Sequence, residues 1–569
     1  MSMEQVGDRR IDETRSDDLT QIEARHSQRV RRQPKHFEEY EIDLPPSIAQ
    51  SQSAPHSGNS VVYPLPHYVS YDKFSQSQKA FLAAITSYDE PKSFFQAIKH
   101  EHWKEAMKKE IEALEKNETW TLEPLPQGKH AIDSKWVYKI KHDWWLKGLH
   151  RCLLSVAAKK NWEIHQLDVN NAFLHGDLDE EVYMRIPQGF SKEGETRVCK
   201  LKKSLYGLRQ ASRNWYHKFA KALINVEFQQ SRVDHSLFTY KSGESFVVAL
   251  IYVDDVILTG NDANKIKEAK VYLNKNFGIK DLGPLKYFLG IEVARSPQSI
   301  VLSQRKYTLD ILQEAGMLGC KPSPFPMEQN YKLRLDHDGP RTDAARYKRL
   351  IGRLLYLTVT RPDITFAVNV LSQFVASPQQ THMSAAERVL RYLKLAPGQG
   401  IMLTAMGNST LEAYCDADWG GCQITRRSCT GYFITLGGSP ISWRTKKQTV
   451  IAKSSAEAEY RAMAMTVSEI VWLRWLLTEL QTPQMDPTTL FCDNQAALHI
   501  AMNPVFHERT KHVEMDCYFV RERVQSREIM PMKISSGGQL ADIFTKALGK
   551  DRFRSLLVKL GIADLHAPT

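Results

Sequence analysis

Two adjacent carboxylates, Asp254 and Asp255, lie between two apolar, β-branched runs within residues 245–260. The pattern predicts a β-hairpin that carries both acids at its turn. Two like charges at one turn repel each other, so each disfavours ionisation of the other. A divalent cation relieves this repulsion, and Mg²⁺ commonly combines one or two carboxylates with substrate phosphates. The alternative is an ordinary Asp-rich turn, which is the usual explanation when such a pair stands alone.

A third carboxylate, Asp168, lies near the end of a strand predicted for residues 163–169. Taken alone, it is more simply a turn or cap residue. A carboxylate at a second strand end would, however, complete a two-metal site that stabilises the attacking and leaving oxygens of a phosphoryl transfer. Between these acids, residues 204–216 combine a glycine with cations and aromatics. That composition suits phosphate contact and base stacking, although the start of an amphipathic helix also explains it.

Residues 411–549 hold a second set of acids at the junctions of predicted elements. They are Asp416 near a strand end, Glu459 early in a helix opened by Ser454 and Ser455, Asp493 at a strand-to-helix junction, and Asp542 on a short helix over residues 539–548. Each acid alone has a structural explanation, since a Ser N-cap followed by an early Glu is a normal helix start. Four acids at successive junctions of a β-β-β-α-β-α order are harder to explain one by one.

Length and composition predict a multidomain protein with a polyanionic partner. The chain has 569 residues and a net charge of +11, which suits phosphate contacts without requiring them. The eight cysteines form no C-x-x-C pair, so we expect free thiols in a reducing compartment and no zinc-type spacing. No apolar run is long enough to span a bilayer, and the N-terminus lacks a secretory core. We therefore expect an intracellular protein.

The order of segments along the chain predicts four parts. Residues 1–62 are polar with a basic cluster, and we expect a disordered linker. A helix is predicted within residues 91–117, where Trp103, Met107, Ile111 and Leu114 recur at helical spacing and form core. The expected boundaries are 63–340 for a polymerase unit, 341–400 for a mostly helical connection and 401–560 for a second catalytic domain.

Several stretches of this sequence resemble a known family. QLDVNNAFLHGDL (166–178), SLYGLRQASRNWY (204–216) and YVDDVILTG (252–260) resemble the reverse transcriptase of plant-type copia long-terminal-repeat retrotransposons. AYCDADWGG, SSAEAEYRA, CDNQAAL, RTKHVEMD and LADIFTKAL resemble the RNase H of the same elements. The resemblance implies an α+β multidomain fold, with a palm, fingers and thumb polymerase-like reverse transcriptase followed by an α/β RNase H-like domain.

The resemblance also implies roles for particular residues. The implied polymerase metal ligands are Asp168, Asp254 and Asp255. The implied RNase H metal ligands are Asp416, Glu459, Asp493 and Asp542, with His512 as an auxiliary catalytic group. The implied substrate contacts are Phe173 as a gate for the sugar 2′-position, and Tyr206, Gly207, Arg209 and Gln210 as the template and nucleotide platform. Ser212 stands where the family commonly has Pro.

The same resemblance implies the cofactors and partners. Two Mg²⁺ or Mn²⁺ ions are expected at each site, with an RNA template, a DNA primer, an RNA–DNA hybrid and deoxynucleoside triphosphates as partners, and no membrane. The oligomeric state stays open. The expected location is the cytoplasm, in a virus-like particle, with the nucleus as a second location.

One block departs from the family. After residues 134–142 the family continues through two fingers segments, whose strands hold the incoming triphosphate. Both segments are missing from this chain, and the family pattern resumes near Arg151. We expect residues 143–150 to form an irregular connection with Trp144 or Trp145 exposed, because adjacent side chains on a strand point to opposite faces. Losing those cations should impair polymerisation. The competing hypotheses are a bifunctional enzyme, a degenerate copy that retains RNase H, and a noncatalytic binder, which gains nothing from clustered carboxylates.

Overall fold

The described residues form four β-sheets packed with α-helices. The computed structural model describes residues 63–70, 94–134, 148–169, 171–190, 194–205, 208, 210–331, 333–334, 339–503 and 514–566. All described elements belong to one compact unit. No helix in these ranges is both long and apolar enough to cross a membrane. The expected linker, residues 1–62, lies outside the described residues, and so do Trp144, Trp145, Tyr206, Gly207, Arg209 and His512.

The elements are numbered in chain order. The α-helices α1 to α13 are Phe94–Ala97, Glu101–Lys116, Gly148–Lys159, Ala211–Asn225, Ala263–Phe277, Arg305–Glu314, Ala344–Leu357, Thr365–Ser372, Gln380–Leu395, Ser455–Glu479, Gln495–Met502, Glu514–Gln525 and Lys550–Lys559. The strands β1 to β10 are Trp120–Glu123, Ala131–Ile132, Glu163–Val169, Asp177–Met184, Val198–Lys203, Gln229–Gln230, Leu237–Ser242, Ser245–Tyr252, Asp255–Gly260 and Ile279–Pro284. The strands β11 to β20 are Tyr287–Phe288, Ile291–Arg295, Ser299–Ser303, Gln399–Thr404, Leu411–Asp418, Cys429–Leu436, Ser439–Lys447, Thr488–Cys492, Ile529–Lys533 and Ile562–Asp564. Short 3₁₀ helices are Leu65–His67, Ala172–His175, Pro362–Ile364 and Leu540–Phe544.

A six-stranded antiparallel sheet, in the order β10-β3-β9-β8-β7-β6, supports the first set of acids. Alternate apolar residues of β3 and β9, such as Leu167 and Val256, face α4 and α5. Those helices contribute Phe219 and Leu273 to the same buried cluster. Because side chains alternate along a strand, Asp168 lies on the opposite face of the sheet from Leu167. Burial of the apolar face against the helices therefore determines that Asp168 points to the other face of the sheet.

The predicted helix over residues 91–117 is divided into two helices, α1 and α2. The amides of Lys99 and His100 bond to carbonyls three residues earlier, at 3.2 and 3.0 Å, and this tight turn ends α1. Met107, Ile111 and Leu114 are buried, so the predicted apolar stripe forms core as expected.

The prediction of an irregular connection over residues 143–150 is wrong at its C-terminal end. Residues 148–150 begin α3, and every residue from Leu149 to Ala158 is buried. The reason is tertiary, since α3 contacts strands of two sheets and its apolar face has partners that the local sequence does not show. The Arg151 Nε donates to the Ile441 carbonyl at 2.8 Å, and its guanidinium lies 3.9 Å from the centre of the Trp443 ring. Residues 143–147 lie outside the described residues.

A five-stranded sheet, in the order β11-β12-β13-β14-β20, joins distant parts of the chain. Strand β13 pairs with β14, and β14 pairs with β20 near the C-terminus. The predicted helical stretch is present between them as α7, α8 and α9. The sheet crosses the boundaries that the sequence led us to expect at residues 340 and 400.

A buried ion pair ties this helical stretch to the sheet. Arg361 and Asp363 are 0% and 1% exposed, and the Arg361 guanidinium lies 2.8 Å from the Asp363 carboxylate. The Tyr392 hydroxyl donates to the same carboxylate at 2.6 Å, and the Gln399 amide donates at 3.3 Å. Four polar groups from α9, β14 and a 3₁₀ helix therefore satisfy one another away from water.

Replacing Asp363 by Asn should destabilise the fold strongly. It leaves the buried Arg361 guanidinium without a counter-charge, which typically costs about 3–5 kcal/mol. Urea unfolding followed by circular dichroism measures the loss. Glu314→Gln is the control, because Glu314 is half-exposed and pairs with Arg349 and Arg353 at the surface, and exposed pairs are each worth at most about 1 kcal/mol. Equal losses in the two variants would contradict the assignment.

Candidate catalytic sites

The three acids of the first set gather at one end of β3 and β9. Tyr252 pairs with Asp255 across a two-residue turn, so Val253 and Asp254 form the tip of the β8–β9 hairpin. Asp255 lies directly opposite Asp168, which puts both carboxylates on one face of the sheet. The amide of Val169 donates to the Asp254 carbonyl at 2.8 Å. The backbone therefore places Asp168 and Asp255 on one face of the sheet, with Asp254 at the adjoining turn, while convergence of the three carboxylates on shared metal ions stays a prediction.

The hairpin tip is held in an unfavourable backbone conformation. Val253 has a φ of 53°, in the left-handed region that β-branched residues rarely adopt. The Trp215 indole of α4 donates a hydrogen bond to the Val253 carbonyl. Trp215 is 1% exposed and belongs to the core beneath the sheet. A buried side chain thus helps to hold the turn and the acid that follows it, and strained backbone of this kind is common at functional sites.

A cation missed by the sequence reasoning lies beside these acids. Asp168 on β3 is paired with Asp255 of β9 on one side and with Lys280 of β10 on the other. Directly paired residues point to the same face of a sheet, so Lys280 and the two acids share one face. The Gln166 amide lies 3.4 Å from the Asp255 carboxylate. No local signal marks Lys280, because only the pairing of β10 with β3 brings it there.

The predicted substrate contacts are only partly within the described residues. Phe173 lies in the 3₁₀ helix after β3 and packs, partly buried, against the core cluster of the sheet. Gln210 precedes the first turn of α4, and its side-chain amide donates to the Glu180 carboxylate at 3.2 Å. Tyr206, Gly207 and Arg209 lie outside the described residues. The substrate-binding roles of all five residues stay predictions.

The second set of acids lies on a sheet with the order β17-β16-β15-β18-β19. Strands β15, β16 and β17 are antiparallel, and β18 and β19 run parallel to β15. This is the element order that the sequence predicted. The four acids lie within β15 (Asp416), in the second turn of α10 (Glu459), directly after β18 (Asp493) and on the last 3₁₀ helix (Asp542). Ser454 caps α10 as predicted, accepting the Glu457 amide at 3.2 Å.

A glycine lets the last 3₁₀ helix approach the sheet. Gly431 pairs with Asp416, and a Cβ at position 431 would lie 2.6 Å from the Thr545 methyl and 2.8 Å from the Phe544 Cβ. No side chain larger than hydrogen fits this contact. The close approach brings Asp542 to the side of Asp416, although the two residues are distant in sequence.

Cations and donors surround the second set of acids. The Lys546 ammonium lies 3.6 Å from the Asp416 carboxylate and 2.9 Å from that of Asp542. The Thr545 hydroxyl donates to Asp416, and the Ser536 hydroxyl donates to Asp493 at 3.0 Å. The sequence reasoning recognised the stretch around Asp542 but assigned no role to Thr545 or Lys546. Thr545 and Lys546 follow Asp542 by three and four residues, a spacing that places side chains near one another on a helix and so could have predicted their contact with this site.

Burial dominates the electrostatics of this cluster. Asp416 and Glu459 are only 2% and 5% exposed. Burial raises the pKa of each carboxyl group, and neighbouring acids raise it further, chiefly Asp542 for Asp416 and Asp416 for Glu459. The Glu459 Oε2 atom has no hydrogen-bond partner among the described residues. Converging buried oxygens with too few donors fit a divalent cation. His512 lies outside the described residues, so its position relative to this cluster is not described.

Comparison with known proteins identifies the family. Residues 146–329 match the family model described as reverse transcriptase (RNA-dependent DNA polymerase). The chain is 40% identical over 512 residues to the retrovirus-related Pol polyprotein from transposon RE1 of Arabidopsis thaliana, covering 84% of this chain and 35% of that protein. It is 32% identical over 309 residues to a protein attributed to transposon Ty5-1 of Saccharomyces cerevisiae, covering 53% of this chain and 100% of that protein.

The chain belongs to the copia-type retrotransposon Pol family. It spans about a third of the length of the RE1 polyprotein, because the match covers 35% of that protein. This copia-type chain also superposes on the foamy viral protease-reverse transcriptase in complex with RNA/DNA hybrid, with a TM-score of 0.40 and 10% identity over 83% of this chain and 62% of that chain. The fold class rests on the sheets described above, a polymerase-like sheet followed by an RNase H-like one.

In this copia-type chain, replacing Asp255 by Asn should raise the stability of the metal-free protein. Like charges directly opposite each other on neighbouring strands are destabilising, by roughly 0.2–1 kcal/mol, and the substitution removes one of them. Thermal unfolding in chelator measures the change. Asp281→Asn is the matched control, because Asp281 on the same sheet pairs with Lys270 at 2.9 Å and should lose stability instead. A destabilised Asp255→Asn protein would contradict the repulsion.

Proposed function

We propose that the chain is a retrotransposon-derived RNA-directed DNA polymerase with RNase H activity. The observation that carries the proposal is the presence of two separate sets of carboxylates, one at adjoining strand ends of the first sheet and one on the strands and flanking helices of another sheet. The match of residues 146–329 to the reverse transcriptase family supports the first activity. The order and direction of the strands around Asp416 support the second.

Each cluster would hold two Mg²⁺ or Mn²⁺ ions. Such ions stabilise the attacking and leaving oxygens of a phosphoryl transfer, or activate water for hydrolysis. At the first site the ligands are Asp168, Asp254 and Asp255, and the substrates are an RNA template, a DNA primer and deoxynucleoside triphosphates. Lys280 lies on the same face as Asp168, where its ammonium can contact a phosphate of the primer or nucleotide.

At the second site the ligands are Asp416, Glu459, Asp493 and Asp542, and the substrate is the RNA strand of an RNA–DNA hybrid. The Lys546 ammonium, beside two of these acids, offsets part of their charge before a phosphate arrives. His512 is proposed to assist proton transfer or product release. The net charge of +11 supports binding to the hybrid, because phosphate contacts supply most of the affinity of nucleic-acid-binding proteins.

Hybrid cleavage by the full-length protein should depend on Asp493. Asp493→Asn keeps the shape of the side chain but removes a charge that would hold an ion, so the cleavage rate should fall by at least about a hundredfold. The assay follows a labelled RNA strand in an RNA–DNA hybrid with Mg²⁺ and with chelator. Asp486→Asn is the matched control, since Asp486 is exposed in the loop before β18. Cleavage that persists in chelator or in Asp493→Asn would refute the proposed mechanism.

Primer extension by the same protein tests the first activity separately. Asp255→Asn should abolish extension on an RNA template while hybrid cleavage continues, because the two clusters lie on different sheets. The missing fingers runs predict slow extension even in the unaltered protein. Cleavage without any detectable extension would favour a degenerate copy that retains only RNase H.

A further inference from the structure

We propose that Glu459, Cys492 and Asp493 form a binding site for a thiophilic divalent cation, with Zn²⁺ as the preferred ion, and that this ion blocks hybrid cleavage. The site shares two acids with the RNase H-like cluster but adds a sulfur donor. The proposed inhibition rests on the proposed function, whereas the binding rests on the geometry alone.

The three residues are close enough to bind one ion. Their ligand atoms, a carboxylate oxygen from each acid and the Cys492 sulfur, all lie within 4.8 Å of one another. Zn²⁺ binds sulfur at about 2.3 Å and carboxylate oxygen at about 2.0–2.2 Å. Small rotations of the side chains would therefore bring the three donors into one coordination shell.

Two of the three donors, Cys492 and Glu459, are buried, and Asp493 is partly buried. Cys492 ends β18 and is 0% exposed, and Asp493 follows it directly. Glu459 reaches the same point from α10, is 5% exposed, and has an Oε2 atom without a hydrogen-bond partner among the described residues. An unsatisfied buried carboxylate oxygen is costly unless something binds it. It therefore points to a cation at this position.

A second thiol lies beside the first. Cys415, on the neighbouring strand β15, is 0% exposed, and its thiol donates to the carbonyl of Phe491, the residue before Cys492, at 3.6 Å. Cys415 and Cys492 each directly precede one of the clustered acids, Asp416 and Asp493. The edge of the RNase H-like cluster is thus sulfur-lined, in contrast to the first cluster, which is built from three Asp residues.

Sulfur decides which metal binds best. Mg²⁺ prefers oxygen ligands and near-ideal octahedral geometry. Zn²⁺ is borderline-soft and accepts thiolate together with carboxylate in a tetrahedral shell. On binding, the Cys492 S–H bond breaks, the proton leaves to solvent, and the sulfur forms the bond to the metal. An ion held in this way occupies Glu459 and Asp493, so these acids cannot serve the hydrolytic ions.

Cobalt spectroscopy on the full-length protein tests the site without reference to activity. Co²⁺ should produce a thiolate-to-metal charge-transfer band in the near ultraviolet, and Zn²⁺ should remove the band by displacement. Cys492→Ser should abolish the band, and Cys422→Ser should keep it, because Cys422 lies outside the cluster and is only partly buried. Absence of the band in the unaltered protein, or its persistence in Cys492→Ser, would overturn the proposal.

A second variant distinguishes the loss of a metal ligand from misfolding. Glu459→Gln keeps the thiol but removes a charged donor, so the affinity for Co²⁺ should fall at least about tenfold while the band remains. Thermal unfolding in chelator establishes that each variant is folded. Unchanged Co²⁺ affinity in a folded Glu459→Gln protein would refute the three-residue site.

Zinc inhibition then links binding to the proposed function. Zn²⁺ added to hybrid cleavage at fixed Mg²⁺ should inhibit the unaltered protein and Cys422→Ser equally. The inhibitory concentration for Cys492→Ser, measured against its own uninhibited rate, should rise at least about tenfold. Equal inhibition of Cys492→Ser and the unaltered protein would overturn the inhibitory role. If no protein cleaves the hybrid, the proposed function fails, and the cobalt spectra still decide the site.

Discussion

Repulsion among neighbouring carboxylates is the constraint on which both candidate sites depend. Asp168 lies directly opposite Asp255, and Asp416 and Glu459 are buried together in a second cluster. Each arrangement raises the free energy of the folded chain, because like charges in low dielectric oppose one another and lose hydration. The surrounding strands and helices must offset that cost. Their apolar faces do so, since β8, β9 and α10 are buried along most of their length.

The two clusters solve this problem in different ways. The first uses one hairpin and its neighbour, so Asp254 and Asp255 are adjacent in sequence and only Asp168 comes from elsewhere. The second depends on contacts such as that between Thr545 and Asp416, which are 129 positions apart. In both cases a lysine lies beside the acids, Lys280 in the first and Lys546 in the second. A partner cation lowers the cost of assembling the acids before any ion or phosphate binds.

The parts of the chain that carry the two clusters are packed into one unit. Helix α3 places Arg151 against strand β17, and burial lowers the pKa of that guanidinium to about 10. The Trp443 indole donates to the Thr358 carbonyl at 3.1 Å, joining the RNase H-like sheet to the end of α7. The pairing of β14 with β13 and β20 adds a sheet shared by distant segments. A fragment cut at residue 400 would divide β14, so experiments require the full-length protein.

The sequence by itself determined the local elements and the acids that they carry. Strand β3 has the predicted bounds, and Ser454 caps α10, because periodicity and capping are encoded by neighbouring residues. The predicted hairpin also joins two buried strands, although its turn is Val253 and Asp254, and Asp255 begins β9. Only the tertiary structure decided that Lys280 lies beside Asp168, that Cys492 lies beside Glu459, and that residues 148–150 are helical. These features depend on strand register and on packing between segments far apart in the chain. No short window of sequence carries that information, since a side chain at one position can meet many different partners until the sheets are assembled.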